Sequence, residues 1–336
     1  MKRWMDALLV PAAAAALAVI PGLGLGGSPS PAVDAAGAPM QVVGYWANDA
    51  TSGLAGLYKY PHAITDFSPF WYSVNASGGL VSHVDASILA KVRAAHVGIT
   101  PLVNDATGVQ AFLSNPVTRI NAARNIADMV KSQHFQGVDI DFEPSHTRLA
   151  PELTGFMIDL HDFLPRGSVI TMAIVPGSGG AYQYSKITPE INQYVLMSYD
   201  QHDDGSAAGP VAATPWVQNI LTRLEQSVPA NKIDLGVAVY GYVWPKGSTS
   251  ATTVPYNAVT PIMNKNAKWD VADQETYATY TTSSGPMVAW WESLQGMNQK
   301  IQLAKRDHLG GIALWHLGYA NDSVYQLLLH QVGRQP

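Results

Sequence analysis

The strongest constraint on the fold is a regular alternation of β-type runs with amphipathic helical runs along most of the chain. Helical patterns separate the β-type runs, and such alternation is typical of parallel β/α units. The β-type runs are 41–46, 64–74, 97–103, 137–143, 168–175, 194–199, 233–242 and 310–317.

Eight strands within residues 41–330 fit a closed barrel, which usually takes ~250 residues. A doubly wound open sheet is the alternative, but the G-x-G-x-x-G phosphate loop of that fold is not found after an early strand. We therefore predict an α/β fold, a (β/α)8 TIM barrel, with a small α+β insertion between strands 7 and 8. The insertion is placed at about 245–287, a connection rich in Thr, Tyr and Asn.

Two helices have clear start signals. Asp85 is predicted to cap a helix that closes near Gly98, and Thr214 is predicted to cap a helix with Pro215 in its first turn. A helix containing Leu153 to Leu160 at helical spacing is expected before Pro165.

The first 38 residues have a separate character. Two basic residues precede an apolar stretch, 7–25, and small residues follow. This is the layout of a secretory signal peptide, with cleavage after Ala36 or Ala38, and residues 39–336 are expected to form the barrel. An uncleaved anchor is the alternative, because the stretch approaches the ~20 residues that a spanning helix needs, although two prolines interrupt it. We expect a secreted or cell-wall-associated protein with no stable membrane insertion after cleavage.

The charge pattern excludes some partners. The formal net charge is -5 and no run is rich in Lys or Arg, so we expect no nucleic-acid partner. The chain has no cysteine, so its fold depends on its core rather than on disulfides. Charged residues are only 13% of the chain, against ~25% in ordinary soluble domains.

Against this low charge, the run G-V-D-I-D-F-E-P at 137–144 stands out. Residues two apart in a strand share a face at about 6.5–7 Å, so Asp139, Asp141 and Glu143 lie on one side. The apolar residues between them lie on the other side, which in a β/α barrel faces the helices. The carboxylates therefore point into the barrel, with Glu143 nearest the C-terminal mouth, where barrel enzymes keep their active sites.

Carboxylates stacked this closely cannot all ionise freely, because burial and like charges disfavour the ionised form. Glu143, at the open end, is the natural general acid. Two other interpretations are a solvated face of an edge strand and a Mg²⁺ or Ca²⁺ site. The intervening apolar residues argue against the first, and the ten histidines form no H-x-H or H-E-x-x-H group. We expect neither a metal nor a cofactor.

The same run resembles the D-x-x-D-x-D-x-E signature of family 18 glycoside hydrolases, the chitinase-like barrels. Gln136 stands at the first acidic position, a departure, and is expected deepest in the column. Further segments fit in order, namely M-S-Y-D at 197–200, L-G-V-A-V-Y-G-Y-V-W at 235–244 and G-G-I-A-L-W-H-L-G at 310–318. Later segments are similar to the bacterial branch that includes spore-germination and cortex-lytic N-acetylglucosaminidases. The resemblance covers nearly all of 41–330.

The resemblance implies a retaining, substrate-assisted cleavage of β-1,4 bonds next to N-acetylglucosamine. Glu143 would be the general acid/base, Asp141 would orient the 2-acetamido group, and Asp139 would share a proton with Asp141. Tyr199 would hold the acetamide carbonyl and Asp200 a sugar hydroxyl or the acid itself.

The remaining candidates are substrate-binding residues at the mouth. By the same resemblance Met197 belongs to the M-x-Y-D segment, and Trp315 would form a floor for the sugar, followed by a non-proline cis peptide. Tyr45 and Tyr240 are placed at the mouth, although packing roles fit their sequence nearly as well. Asn104, after the third strand, is a further candidate.

The sequence thus predicts a monomeric, exported glycosidase of the N-acetylglucosaminidase or chitinase type. Its partner would be an N-acetylglucosamine-containing polysaccharide, peptidoglycan or chitin. The alternative is a catalytically silent, lectin-like barrel that only binds carbohydrate; such barrels usually lose the terminal acid, whereas Glu143 is present.

Overall fold

The computed structural model of the protein describes residues 40–332, apart from 49–50, 107, 109, 145–146 and 179. The predicted signal peptide, 1–38, lies outside the described residues. Among the helices that are described, none has both the length and the apolar character needed to cross a lipid bilayer.

Eight parallel strands close into a barrel, which confirms the predicted fold. Each strand pairs with the next, and the first pairs with both the second and the last, so no edge is left open. In chain order they are β1 Gln41–Trp46, β2 Asp66–Val74, β3 Leu102–Asp105, β4 Gly137–Asp141, β5 Val169–Ile174, β6 Gln193–Leu196, β7 Ile233–Ala238 and β8 Gly311–Trp315.

Helices connect the strands, and their buried faces share one large apolar cluster with the outer faces of the strands. Two short strands, Leu80–Ser82 and Gly98–Ile99, pair with β2. The helices outside the insertion are Leu54–Lys59, Ala86–Ala94, Gln110–Leu113, Pro116–Gln133, Ala150–Phe163, Tyr184–Ile187, Thr214–Leu224, Leu294–Arg306 and Asp322–Val332.

The helix start signals were partly right. Asp85 caps its helix as predicted, because its carboxylate accepts hydrogen bonds from the backbone N–H groups of Ser87 and Ile88. Thr214 is not a cap: it is the first helical residue, and Ala213 precedes it without a side-chain bond. The predicted strand 97–103 is interrupted at Thr100–Pro101, where proline has no N–H to donate to the sheet.

Strand alternation separates two cores. Val138 and Ile140 of β4 are fully buried in the outer cluster against the helices. A small inner cluster of Val43, Tyr45, Leu102, Val195 and Ala313 fills part of the barrel interior. Asp139 is opposite Leu102 in the β3–β4 register, so it shares the inner face, as the alternation predicts.

The predicted insertion lies between β7 and β8 and is larger than expected. It is a five-stranded antiparallel sheet with one short helix, Pro261–Lys265. The expected limits of 245 and 287 are wrong because the run 233–242 is two strands, the second of which already belongs to the inserted sheet. The strands are Tyr240–Pro245, Thr252–Pro255, Ala267–Asp270, Glu275–Thr282 and Gly285–Trp291.

Candidate active site

The three acidic side chains of β4 and its extension have different environments. Asp139 is buried at 1% exposure, Asp141 is half-buried at the last position of the strand, and Glu143 is exposed two residues beyond its end. The column therefore runs from the barrel interior to its C-terminal mouth.

Asp139 is held from two other strands. The Tyr45 hydroxyl of β1 donates to Asp139 Oδ2 at 2.9 Å, and the Thr171 hydroxyl of β5 donates to Oδ1. Burial raises the pKa of Asp139 to about 6, and the two hydroxyl bonds limit the increase. Tyr45, predicted at the mouth as a substrate contact, is instead buried at 2% exposure beneath it, as a partner of Asp139.

Asp141 has an unsatisfied acceptor. Its Oδ1 is buried and, among the described residues, has no hydrogen-bond partner. Burial raises the pKa of Asp141 well above its usual range, and the carboxylates of Glu143, Asp139 and Asp105 raise it further. Asn104 lies directly opposite Asp141 in the β3–β4 register, and its Oδ1 is likewise buried without a partner among the described residues.

Glu143 is the accessible member of the set. Partial removal from water raises its pKa, and the carboxylates of Asp105 and Asp200 raise it further. A raised pKa keeps the carboxyl group protonated at a higher pH than an ordinary glutamate. An exposed carboxyl group that retains its proton can donate that proton to a bound molecule.

Gln136 does not occupy the deepest position of an inward column. It precedes β4, and its side chain is exposed to solvent rather than buried inside the barrel. The expectation was wrong because it followed the family signature, whereas strand alternation places Gln136, three residues before Asp139, on the opposite face. The absence of a carboxylate at this position therefore leaves the interior set unchanged.

Asp200 is fixed by the inserted sheet. Its backbone has a left-handed φ of 58°, and its Oδ1 accepts hydrogen bonds from the hydroxyls of Tyr240 and Tyr242, the second at 2.8 Å. Burial raises the pKa of Asp200, and the two hydroxyl bonds lower it. Tyr240 is 3% exposed, so the structure places it as a support for Asp200 rather than at the open mouth.

Trp315 lies at the end of β8 in a cluster of rings. Its ring centroid is 5.6 Å from that of Tyr45 and 6.2 Å from that of Phe70, and it stacks on Tyr199 at 6.5 Å. The peptide bond from Trp315 to His316 is cis, as the resemblance implied. Trp315 and Tyr199 are both half-buried, and so is Met197, immediately after β6.

Several site residues were missed by sequence reasoning. Asp105 follows Asn104 at the end of β3 and affects the pKa of both Asp141 and Glu143. Thr171 could have been found from its place on the inner face of β5, opposite Asp139 in the register.

The barrel interior also holds two carboxylates that were not predicted. Asp66 of β2 and Asp234 of β7 are buried at 2% and 0% exposure, and each has one oxygen without a partner among the described residues. Burial raises the pKa of Asp66 to about 7, although the hydrogen bond that the Thr100 hydroxyl donates to it lowers the pKa. Burial also raises the pKa of Asp234, as do the charges of Asp139 and Asp66.

Over residues 40–332, with the gaps given above, no group of three or more His, Cys, Asp or Glu side chains is arranged to hold a metal ion. The arrangement does provide a carboxyl group of raised pKa at the mouth, an unpaired acceptor below it, and aromatic rings near both. Such a site can bind a polar ring-shaped molecule and protonate it.

Comparison with known proteins gives a consistent result. The family described as "Glycosyl hydrolases family 18" matches residues 41–320. The sporulation-specific glycosylase YdhD of Bacillus subtilis is 30% identical over 223 residues, which are 62% of this chain and 53% of YdhD. The match thus spans about half the length of that relative.

Solved structures have the same fold. The spore cortex-lytic enzyme SleL of Bacillus cereus superposes with a TM-score of 0.80 at 18% identity, over 87% of this chain and 74% of SleL. A chitinase of Chromobacterium violaceum also gives a TM-score of 0.80, at 19% identity, over 88% of this chain and all of that one.

Proposed function

The chain belongs to glycosyl hydrolase family 18, and we propose that it is an exported enzyme that cleaves β-1,4 bonds next to N-acetylglucosamine with retention of configuration. The observation that carries this proposal is the graded set of carboxylates in one barrel: Asp139 buried and doubly hydrogen-bonded, Asp141 with a free acceptor, and Glu143 exposed with a raised pKa.

In the proposed reaction Glu143 protonates the glycosidic oxygen as the bond to the anomeric carbon breaks. The 2-acetamido carbonyl oxygen of the substrate attacks that carbon, and an oxazolinium ion forms. Glu143, now ionised, then removes a proton from the water that opens this ion. No second carboxylate nucleophile is required.

The role of Asp141 follows from its unpaired oxygen. We assign Asp141 Oδ1 to the acetamide N–H, because a buried acceptor without a partner gains a full hydrogen bond when a donor arrives. Its charge would also offset the positive charge that develops on the acetamide. Asp139 shares a proton with Asp141, and Tyr199 donates to the acetamide carbonyl.

Binding of the sugar would use the surrounding side chains. Trp315 offers its ring as a floor for the apolar face of the sugar, and Asp200 accepts from a hydroxyl. Met197 contacts the same unit. Tyr45 and Tyr240 would not touch the sugar. Their hydroxyls donate to the carboxylates of Asp139 and Asp200, respectively.

We propose peptidoglycan, or fragments of it, as the substrate. This choice follows relatives whose names refer to sporulation and to the spore cortex, whereas a chitinase has the same fold. Residues 1–38 would act as a cleaved signal peptide that exports the barrel, residues 39–336, to the cell wall, where it would work as a monomer.

The test is digestion of purified peptidoglycan and chitin side by side, with mass spectrometry of the products. We expect peptidoglycan fragments that end in N-acetylglucosamine, with retained anomeric configuration. A fully N-deacetylated glycan should not be cleaved, because it lacks the carbonyl nucleophile. Cleavage of that glycan at the same rate would contradict the substrate-assisted mechanism, and no cleavage of any acetylated polymer would favour the lectin-like alternative.

A further inference from the structure

One buried carboxylate outside the candidate active site binds the loop that follows Asp200. Glu275, on the inserted strand Glu275–Thr282, is fully buried. Its Oε1 accepts the backbone N–H of Val211 and its Oε2 that of Ala212, both at 2.8 Å. One carboxylate thus binds two consecutive N–H groups of the β6 loop, which we define as residues 201–213.

The β6 loop leads directly back to the active site. The backbone N–H of Gln201 donates to Val211 O at 2.8 Å, and the side-chain oxygen of Gln201 accepts the N–H of Ala213 at 2.9 Å. Gln201 is the residue after Asp200, so it joins Asp200 to Val211, which Glu275 also holds, and to Ala213, the next residue after the held pair. Hydrogen bonds thus run from Glu275 through the loop to Gln201, which is covalently joined to Asp200.

Glu275 lies next to a buried ion pair. Glu292 and Lys300, both fully buried, form an ion pair at 2.7 Å. A Cβ at Gly296 would overlap Glu292 Oε1, so a larger residue there would displace this carboxylate from its present place. Burial and the Glu292 charge raise the pKa of Glu275, whereas Lys300 and the two N–H donors lower it.

Burying a carboxylate this completely costs free energy unless its partners are well placed. Both oxygens of Glu275 accept hydrogen bonds from the loop, so the carboxylate stabilises the loop rather than the neighbouring ion pair. The inserted sheet therefore acts on this segment twice: Tyr240 and Tyr242 bond the Asp200 side chain, and Glu275 holds the loop that is bonded to Gln201, the next residue.

We propose that Glu275 is a positioning residue for the glycosidase reaction, which sets the place of Tyr199 and Asp200 by holding the β6 loop through the Val211 and Ala212 N–H groups. The inference rests on the proposed function. Because Tyr199 would orient the attacking acetamide, its misplacement slows the chemical step more than it weakens binding.

The experiment compares Glu275→Gln with the wild-type enzyme on an N-acetylglucosamine oligomer. A glutamine keeps the shape but offers one acceptor oxygen, and its NH2 group then faces an N–H donor. We expect kcat to fall about tenfold or more while KM stays within about threefold, since a small misplacement can cost up to about 10² in rate. Hydrogen exchange at residues 201–213 should become faster.

Two further variants separate positioning from general stability. Thr276→Val, on the same strand, removes the 2.8 Å hydrogen bond to Ser293 and leaves the loop untouched, so kcat and loop exchange should not change. Gln201→Ala breaks the next link without disturbing the buried charges, and it should lower kcat in the same direction as Glu275→Gln.

The outcomes are distinguishable. Faster exchange of the β6 loop with an unchanged kcat in Glu275→Gln overturns the inference, and so does an equal loss of kcat in Thr276→Val. A wild-type enzyme that cleaves no acetylated glycan overturns the proposed function instead, while the exchange measurement still shows whether Glu275 holds the loop.

Discussion

Asp139, Asp141 and Glu143 are chemically similar groups, and their surroundings give them different tasks. Asp139 has two hydroxyl donors and a pKa of about 6, whereas Asp141 Oδ1 has no partner among the described residues. Glu143 alone is exposed. The division of roles follows from depth in the barrel rather than from residue type.

At this scale the first prediction concerns the proton donor. Glu143→Gln removes the proton while keeping the size of the side chain, and we expect kcat to fall about 10²–10⁴-fold, the usual contribution of general acid–base catalysis. Affinity for an N-acetylglucosamine oligomer, measured by calorimetry, should remain within a few fold. Asp162→Asn, an exposed change of equal charge on the helix Ala150–Phe163, is the control. Near-normal turnover by Glu143→Gln would remove Glu143 from the mechanism.

The second prediction concerns the pH dependence of the rate. The carboxylate of Asp105 raises the pKa of Glu143, and the acid is active only while it is protonated. Asp105→Asn should therefore lower that pKa and move the alkaline limb of kcat/KM to lower pH. Asp162→Asn changes the net charge equally from a distance and should leave the limb in place. An unmoved alkaline limb in Asp105→Asn would mean that another group controls it.

Strand alternation could predict only those site residues whose direction is set within a single strand. Alternation placed Asp139 and Asp141 inward, since two-residue periodicity is a local property of the strand. It gives no support to an inward place for Gln136, which precedes the strand. It can put Thr171 and Asp66 on the inner faces of their own strands, but it cannot show that they lie near Asp139. Those residues join the site through strand neighbours and barrel closure, which a single segment does not encode.

At the scale of elements, caps and breaks decide where helices and strands begin. The Asp85 carboxylate satisfies two N–H groups of the helix Ala86–Ala94. Thr214 looked equivalent in sequence, but the chain enters that helix one residue earlier. The eight barrel strands were predicted because their alternation with helices is strong, whereas the limits of the insertion depended on the break after Ala238, which no turn residue marks.

The third prediction tests the cap. Asp85→Ala leaves the first N–H groups of this helix without a side-chain partner, and we expect a loss of about 1 kcal/mol in the free energy of unfolding. Asp85→Asn keeps an acceptor oxygen at the same place and should lose much less. Denaturant titration measures both, and equal losses for the two variants would show that the carboxylate charge, rather than the cap bond, is what matters.

At the scale of the whole molecule, buried carboxylates make stability depend on pH. The pKa values of Asp66 and Asp139 are about 7 and about 6 in the folded protein, against an ordinary 3.8. Between these values the folded state binds more protons than the unfolded state. The contribution of these two groups to the free energy of unfolding therefore falls as pH rises from about 4 to about 7.

The fourth prediction follows from this sign. Asp66→Asn removes one such group while keeping an acceptor for the Thr100 hydroxyl. Denaturant titrations between pH 4 and 8 should show a slope smaller by up to about 1.4 kcal/mol per pH unit, the value for one proton. The variant should exceed the wild-type protein in stability at pH 8. An unchanged slope would mean that Asp66 is not protonated on folding.

The inserted sheet, unlike the closed barrel, has two open edges. They are the strands Thr252–Pro255 and Ala267–Asp270, each only four residues long. Pro255 has no N–H to offer, and Lys268 places an exposed cation on the other edge. Edge strands that are short, or that carry a charged residue or a proline, resist pairing with a strand of a second molecule. Both edges of the inserted sheet therefore offer little backbone to which a strand of another molecule could be added.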